Sequence, residues 1–420
     1  MGRLEQSRLT STGGPRETAE GAAVATDNPG AGGDGPADAL DVVAFPDYRA
    51  VNPYQRELER ELADRGVSAT TTGRGTKWAP LLSAVSAEGR PDVLHVHFFH
   101  QVMIASSAPS PIRPFVSALL SLRLVLELTI LKLRGVELVW TAHDLLNHER
   151  EAIRTELAFK HVIIRLLVDG IIVHCSSAKQ IVRETYRLPE RVEERMTVIP
   201  HGHFVDEYPN EVDRAEARSR LDIPEQDTVF LFFGWIRRYK NVPLLVDTFA
   251  ELDDDDARLL VVGNPRTEEI EQEVRDAAAT DSRVETRLEF VPDDEVQYYM
   301  NAADVAVLPF RTGKQTLLTS GSALLAMSFG KPVIAPALGC VADLVDEAGG
   351  FAYESSDRDA LLGAMAAAMD ADLAAMGAHN FERVSDLTWD EIAARTHEVY
   401  LDVVGGRRGG PGQADGAQGD

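Results

Sequence analysis

The run TVFLFFGWIRRYKN, residues 228–241, decides how the chain is divided and where its polar groups gather. Its first half is a continuous apolar stretch, which predicts a strand over Val229–Phe233 that is buried inside a parallel sheet. Gly234 then allows a close approach of the backbone, and a helix is predicted from about Val242 to Leu252. A strand, a glycine turn and a helix in this order are typical of a doubly wound α/β domain.

The same alternation continues on both sides of this run. Further strands are predicted at Asp41–Phe45, Val93–His97, Glu137–Thr141, Gly170–His174, Thr197–Ile199, Leu259–Val262, Leu288–Val291, Val305–Leu308 and Pro332–Ala335, with helical patterns between them. Strands that alternate with helices indicate parallel sheets covered on both faces. Because 420 residues exceed one ordinary hydrophobic core, the sequence predicts two Rossmann-like doubly wound domains of the α/β class.

Composition and pattern place the boundaries. The predicted segments are a disordered tail at 1–38, an N-terminal domain at 39–203, a linker at 204–226, a C-terminal domain at 227–385, a final helix at 386–404 and a disordered tail at 405–420. Both tails are polar and rich in glycine, so they offer too little apolar surface to fold.

The formal net charge of −25 argues against a nucleic-acid-binding protein, which needs a basic face. Seven Lys stand against 35 Arg. This composition fits either adaptation to a salty cytoplasm or an acidic composition without such adaptation. No apolar leader segment opens the sequence, so a cytoplasmic location is expected. Cys175 and Cys340 each lie in an apolar segment and are predicted to be free, buried thiols in a reducing compartment.

The most apolar stretch is residues 111–140, which six charged residues interrupt. A membrane-spanning helix needs about 20 nearly uncharged residues, so the stretch is not expected to cross a membrane. Its helix, Phe115–Leu133, is predicted to pack into the core on one side and to allow peripheral contact with a membrane on the other.

Two loops carry groups suited to anions. Arg237 and Lys240 lie between the strand end and the next helix, where a helix N-terminus also favours negative charge. The run Thr319-Ser320-Gly321-Ser322 opens another apolar helix. Its hydroxyl groups serve either as helix caps alone or, with the exposed N–H groups, as ligands of a diphosphate.

Histidines mark two strand ends of the first half. His143 and Asp144 follow a strand and are candidates for contact with a reacting hydroxyl, although the residues alone slightly favour a histidine bonded to the backbone and an Asp144 that caps the next helix. His95 and His97 share one face of a strand, but no carboxylate or thiol cluster accompanies them, so no metal site is predicted.

Seven short segments together resemble the GT-B glycosyltransferases, especially glycosyltransferase family 4 and the mannosyltransferase-like enzymes of polysaccharide and glycolipid assembly. They are NPYQ (52–55), DVLHVH (92–97), WTAHD (140–144), VIPHG (198–202), FGWIRRYK (233–240), AADVAVLP (302–309) and GKPVI (330–334), spread over about residues 40–403. Each is short, but their order and spacing are specific to the family.

The resemblance implies a nucleotide-sugar donor in the C-terminal domain, an acceptor in the N-terminal domain and an active site in the cleft between them. The matching donor-side residues are Gly234, Arg237, Lys240, Val291, Ser320, Gly321 and Ser322, of which Val291 lies in the region beside the nucleobase. His143 matches a histidine that contacts the donor sugar. The last helix, from about Trp389, is expected to return to the first domain.

The chain departs from the family at three positions. Most members have a Glu-x7-Glu motif, whose two positions are Leu317 and Leu325 here, and Trp235 stands where Arg is usual. The donor sugar and the retaining or inverting course are therefore left open.

The expected activity is that of a metal-independent hexosyltransferase without a cofactor. It would move a sugar from a GDP- or UDP-linked donor to a glycan or lipid-linked acceptor in the assembly of surface polysaccharide, glycolipid or glycoprotein glycans. Arg237, Lys240 and the helix start would neutralise the departing diphosphate. A GT-B sugar-nucleotide epimerase and a non-catalytic sugar-nucleotide or glycan-binding protein remain the alternatives.

Overall fold

A computed structural model describes residues 40–49, 52–147, 151–311 and 320–408. The predicted tail at 1–38, as well as Leu317, lies outside the described residues. The chain forms two six-stranded sheets in which all strand pairs are parallel. The α/β class and the two doubly wound halves predicted from the sequence are confirmed.

Each half contributes one sheet. The first sheet consists of β1 (Asp41–Phe45), β2 (Ser68–Thr71), β3 (Val93–Val96), β4 (Glu137–Thr141), β5 (Gly170–Val173) and β6 (Met196–Val198). The second sheet consists of β7 (Thr228–Phe233), β8 (Ala257–Val262), β9 (Val284–Arg287), β10 (Val305–Val307), β11 (Val333–Pro336) and β12 (Gly350–Tyr353).

The helices connect and cover these strands. In the first half they are α1 (Pro53–Asp64), α2 (Pro80–Ala87), α3 (His100–Met103), α4 (Arg113–Leu133), α5 (Ile153–Leu166), α6 (Ser176–Thr185) and α7 (Glu190–Glu193). In the second they are α8 (Arg214–Leu221), α9 (Val242–Phe249), α10 (Glu268–Ala278), α11 (Val296–Ala302), α12 (Gly321–Ser328), α13 (Gly339–Leu344), α14 (Arg358–Met369) and α15 (Leu373–Ser385), followed by α16 (Trp389–Arg408).

The strand orders locate the places where ligands bind. The first sheet runs β2-β1-β3-β4-β5-β6 and the second β12-β11-β10-β7-β8-β9. The direction of winding reverses between β1 and β3 in the first sheet, and between β7 and β10 in the second. Doubly wound sheets bind ligands beyond the carboxyl ends of the strands at such reversals. The loops after β1, β3 and β7 are therefore the first places to look for a site.

Each half has its own hydrophobic core, and the last helix, α16, packs on the first half. One cluster of buried apolar residues surrounds the second sheet. Another joins Trp389 and Tyr400 of α16 to Leu40, Tyr54 and Leu58 in the first half. α16 thus crosses back onto the first sheet. It continues through Arg408, four residues past its expected end at 404, while 409–420 lie outside the described residues.

Edge strands are where strand prediction from the sequence was incomplete. β2 and β12 were not predicted, and the strand placed at Leu288–Val291 lies instead at Val284–Arg287. All three are edge strands, which need no continuous apolar run because one side of the strand is unpaired. The apolar residues of 288–291 belong to the loop beyond β9, where Phe290 and Val291 line a cavity.

The prediction of two free cysteines was wrong. Cys175, which begins α6 in the first half, forms a disulfide with Cys340 in α13 of the second half, with 5.5 Å between their Cα atoms. The sequence separation of 165 residues gave no sign that the fold brings them together. The expectation of a reducing compartment therefore loses the support that it drew from free thiols.

α4 lies on the surface of the first half. By length and composition it could cross a membrane, alone among the unbroken helices of the described part. One face packs in the first core through Leu124, Leu128 and Leu131. On that face the buried Glu127 accepts hydrogen bonds from the backbone N–H groups of Leu81 and Leu82, which ties α4 to α2.

Candidate active site in the groove between the two sheets

The loop after β7 and the start of α12 meet at the reversal point of the second sheet. Lys240 Nζ donates a hydrogen bond to Ser322 Oγ over 3.3 Å. A Cβ atom built on Gly234 would lie 3.0 Å from Ser322 Oγ and 3.3 Å from Lys240 Nζ. The ammonium group, the hydroxyl and the bare glycine backbone therefore share one small space. Such a cluster suits a phosphate group, which needs positive charge and hydrogen-bond donors at close range.

A second glycine makes this arrangement possible. Gly263 follows β8 with a φ of +147°, and a Cβ atom there would lie only 1.9 Å from the carbonyl oxygen of Gly234. Any side chain at Gly263 would push the two loops apart. The sequence Val262-Gly263-Asn264 carries this signal, but the sequence analysis did not use it.

These loops enclose a cavity of about 440 Å³ that we call the donor cavity. Six of the seven predicted donor-side residues line it, namely Gly234, Arg237, Lys240, Val291, Gly321 and Ser322. The seventh, Ser320, caps α12 by accepting a hydrogen bond from Ala323 N over 3.2 Å and lines a neighbouring cavity. The structure thus brings the predicted set together, while its role in binding stays a prediction. Leu325, at the second position of the altered Glu motif, also lines the donor cavity.

The charge around Lys240 and Arg237 favours an anion in this part of the donor cavity, whose lining elsewhere includes Glu207, Glu289 and Asp293. Burial, together with the nearby Arg237, lowers the pKa of Lys240 to about 8. Arg237 has no carboxylate within ion-pair distance among the residues that the structure describes. Two cations that repel each other and have lost hydration are stabilised when a diphosphate binds between them.

Nucleoside diphosphate binding is expected to weaken as the pH rises from 7 to 10. A bound diphosphate raises the pKa of Lys240 above its free value of about 8, so above pH 8 binding must take up a proton. Glu207 lines the same cavity, and burial beside Glu57 raises its pKa to about 7, so its ionisation acts in the same direction. Calorimetric titration with GDP and UDP across this range measures the effect. In Lys240→Arg the part of the dependence above pH 8 should disappear; an unchanged profile would contradict the assignment.

His143 lies in a row of hydrogen-bonded imidazoles on the first half. His174 Nδ1 lies 3.0 Å from the carbonyl oxygen of Ile199 and must donate to it. His174 Nε2 therefore accepts from His143 Nδ1 over 3.1 Å, and His143 Nε2 accepts from His97 Nδ1 over 3.0 Å. Burial and the neighbouring His174 and His97 lower the pKa of His143 well below its usual range. Both of its nitrogens are occupied, so a substrate hydroxyl must displace one of these partners.

Asp144, the second predicted catalytic residue, lies beside a buried cation. Lys160 Nζ lies 3.7 Å from Asp144 Oδ1, and His100 Nδ1 lies 3.7 Å from Asp144 Oδ2. Lys160 is itself fixed by Glu156 Oε1 at 2.8 Å and by the carbonyl oxygen of Leu145 at 2.9 Å. The Asp144 carboxylate is therefore positioned by its contact with Lys160 of α5 rather than by β4, the strand that precedes it.

His95, the histidine within β3, has structural contacts. His95 bonds Tyr400 Oη and Thr141 Oγ1, each over 2.7 Å, and so connects α16 to β4. Within the described part of the chain, no group of three or more His, Cys, Asp or Glu is arranged to hold a metal ion.

A second, larger cavity of about 940 Å³ lies next to the donor cavity, and we call it the acceptor-side cavity. The loops after β1, β2 and β3 contribute Tyr48, Arg74 and His100, and Arg237 lines both cavities. Of its lining residues, only Arg237 was predicted from the sequence as a site residue. The other lining residues are isolated polar side chains, such as Tyr48 and Arg74 in loops, and apolar residues of which two belong to α4, and nothing in the sequence sets them apart as one group.

Comparison with known proteins agrees with this geometry. Residues 227–371 match the family model described as "Glycosyl transferases group 1". The chain is 29% identical to the GDP-mannose:glycolipid 4-beta-D-mannosyltransferase of Xanthomonas campestris pv. campestris over 319 residues, covering 75% of this chain and 81% of that one. Sucrose-phosphate synthase from Thermosynechococcus elongatus shares the fold with a TM-score of 0.66 at 19% identity, over 88% of this chain and all of that one. Anabaena HepE, solved with UDP and glucose, gives 0.64 at 15% identity, over 86% of this chain and all of that one.

Two parallel sheets that face each other across a cationic groove, with these relatives, define a glycosyltransferase of the GT-B architecture. Within that class the chain is mannosyltransferase-like, and residues 227–371 of its second half match the group 1 glycosyltransferases. The relatives are transferases, so they do not favour the epimerase or the binding protein that the sequence left open.

Proposed function

We propose that the protein transfers a hexose from a nucleoside-diphosphate sugar, with GDP-mannose as the first candidate, to a glycolipid acceptor. The proposal is carried by the convergence of Lys240 Nζ and Ser322 Oγ, 3.3 Å apart, on the space that a side chain at Gly234 would fill. The similar Xanthomonas enzyme bears the name of a GDP-mannose:glycolipid transferase, which supports this choice of donor and acceptor.

The chain's own groups account for departure of the leaving group. As the bond between the sugar and the diphosphate breaks, negative charge grows on the diphosphate oxygens beside Lys240 and Arg237. These cations, with the N–H groups at the start of α12, stabilise that charge without reorganisation. On the acceptor side, Asp144 is the better candidate for the base, because His143 would first have to give up its bond with His97.

The test is an assay with GDP-mannose, GDP-glucose, UDP-glucose and UDP-galactose, each with and without a bacterial membrane lipid extract. Transfer of label from GDP-mannose to lipid is the expected result. Nucleotide-sugar interconversion without acceptor would instead identify an epimerase, and binding without turnover would identify a binding protein. Either of these two outcomes would overturn the proposal.

Peripheral contact with the cytoplasmic membrane face is part of this proposal. The outward face of α4 presents Phe115, Leu119, Leu122, Leu126 and Leu133, each between 50 and 84% exposed. Their spacing of three, four or seven residues puts them in one stripe along the helix. An apolar stripe of this length inserts into a lipid interface, which would bring a membrane-bound acceptor to the groove.

Leu122→Ser/Leu126→Ser is expected to lower binding to vesicles of phosphatidylglycerol and phosphatidylcholine by about tenfold or more, because each leucine loses roughly 1 kcal/mol or more of apolar burial. Co-sedimentation with these vesicles measures the fraction of protein bound. The matched control is Leu401→Ser, which removes an equally exposed leucine from α16. Equal vesicle binding by wild type and the double variant would remove the membrane from the proposal.

A further inference from the structure

The acceptor-side cavity has an unusual charge for this chain. Five cationic side chains line it, Arg74, Lys77, Arg123, Arg237 and Arg266, and no Asp or Glu is among its described lining residues. The whole chain carries 67 acidic residues and 42 basic ones. A concave site lined by one sign of charge concentrates ions of the opposite sign.

Most of these cations have no carboxylate to neutralise them. Arg123 pairs with Glu127 over 3.1 Å. For Arg74, Lys77, Arg237 and Arg266, the described part of the chain offers no carboxylate within ion-pair distance. Arg74 instead donates to the backbone carbonyl oxygen of Gln101, which also lines the cavity.

The cations come from both halves and meet around Tyr48. Arg74 and Lys77 follow β2, while Arg237 and Arg266 follow β7 and β8 on the opposite sheet. Burial and the negative charge of Asp144 raise the pKa of Tyr48, and the positive charges of Arg237 and Arg74 both act against that shift. One cation from each half is therefore close enough to act electrostatically on the same phenol.

The position of Arg237 connects the two cavities. Because Arg237 lines both, a molecule in the acceptor-side cavity lies next to a donor diphosphate. The volume of about 940 Å³ suits a saccharide with an attached group. Ile104, Val116 and Leu120 form an apolar part of the wall, and the last two belong to α4, whose outer face carries the apolar stripe.

We propose that the acceptor-side cavity binds an acidic acceptor, a saccharide that carries a phosphate, diphosphate or carboxylate group near the hydroxyl that reacts. This inference rests on the proposed function and specifies its acceptor. Arg74 and Lys77 hold the acidic group on the first half, and Arg237 and Arg266 close over it from the second. Guanidinium groups suit this task because they bind both oxyanions in bidentate fashion.

The test measures binding of three probes that share a pyranose ring, glucose 1-phosphate, glucuronate and glucose, to the full chain saturated with GDP. Saturation keeps the phosphate probe out of the donor cavity. Wild type is expected to bind at least one acidic sugar tenfold or more tightly than glucose, and less tightly at 500 mM than at 50 mM NaCl. Glucose 1-phosphate binding alone identifies a phosphorylated acceptor, and glucuronate binding alone a uronic acid.

Arg74→Gln/Lys77→Gln should abolish this preference for acidic sugars. Both side chains are exposed, so the fold should be retained. Arg191→Gln, at an exposed arginine on α7, is the matched control and should bind as wild type does. Equal affinity for all three probes, or a preference that survives the double variant, would overturn the inference. The affinity for GDP is measured in the same titrations. If GDP binds, and binds more weakly to Lys240→Ala, while wild type shows no preference for acidic sugars, only the acceptor inference is overturned. If neither GDP nor UDP binds, the proposed function is overturned.

Discussion

Replacing Lys240 by Ala is expected to lower kcat/KM for the nucleotide-sugar donor by about 30- to 1000-fold, or about 2–4 kcal/mol. Lys240 is buried, bonds Ser322 and stands beside Arg237, and no carboxylate pairs with it among the described residues, so its charge is available to a bound diphosphate. Arg237→Ala should lower kcat/KM for the donor by a similar factor. Steady-state kinetics at varied donor concentration measures both effects.

Arg238 provides the control on the same loop. Its guanidinium is exposed and pairs with Glu269 at 2.9 Å and Glu273 at 3.1 Å. Exposed pairs of this kind contribute little, so Arg238→Ala should stay within about twofold of wild type. Wild-type kinetics in Lys240→Ala, or an equal loss in Arg238→Ala, would mean that the loop matters as a whole and that Lys240 has no special role.

Lys160→Met should destabilise the fold by about 3–5 kcal/mol while leaving the side-chain volume nearly the same. Lys160 and Glu156 are 1% and 0% exposed and lie 2.8 Å apart. Removing the ammonium group leaves a buried carboxylate, together with Asp144, without its cation. Urea unfolding followed by fluorescence gives the free energy of unfolding. The loss should be accompanied by lower kcat, since the same lysine positions Asp144.

Lys179→Met on α6 is the matched control, because no carboxylate pairs with Lys179 in the described residues, and it should change stability by less than about 0.5 kcal/mol. If Lys160→Met is no less stable than this control, the buried pair contributes nothing and the placement of Asp144 needs another explanation.

The sequence predicted the central strands well because these strands are buried on both faces. β7 is one apolar run from Val229 to Phe233, and the structure places its strand at Thr228–Phe233. The edge strands β2, β9 and β12 were missed or misplaced because half of their surroundings is solvent, whereas the edge strand β6 was predicted to within one residue. β2 reads Ser-Ala-Thr-Thr and has no apolar pattern to recognise.

The donor cavity was accessible from the sequence because its residues lie in short runs at strand ends. Arg237 and Lys240 are three residues apart, and Ser320 to Ser322 are consecutive. The acceptor-side cavity could not be predicted from the sequence, because Arg74 and Arg266 are 192 positions apart and line one cavity only after both sheets have formed. The disulfide between Cys175 and Cys340 was not predicted for the same reason. Contacts between the halves depend on how they dock, which no local pattern encodes.

The disulfide has a mechanical consequence for the groove. Cys175 and Cys340 line a cavity of about 200 Å³ together with His201 and Leu387, the two places where the backbone passes from one half to the other. The disulfide and the two backbone crossings, which are the three covalent links between the halves, therefore all lie around this one cavity. We therefore expect any motion of one half against the other to be a rotation about that end, which would displace Arg74 and Arg237, which line other cavities, more than the residues beside the disulfide.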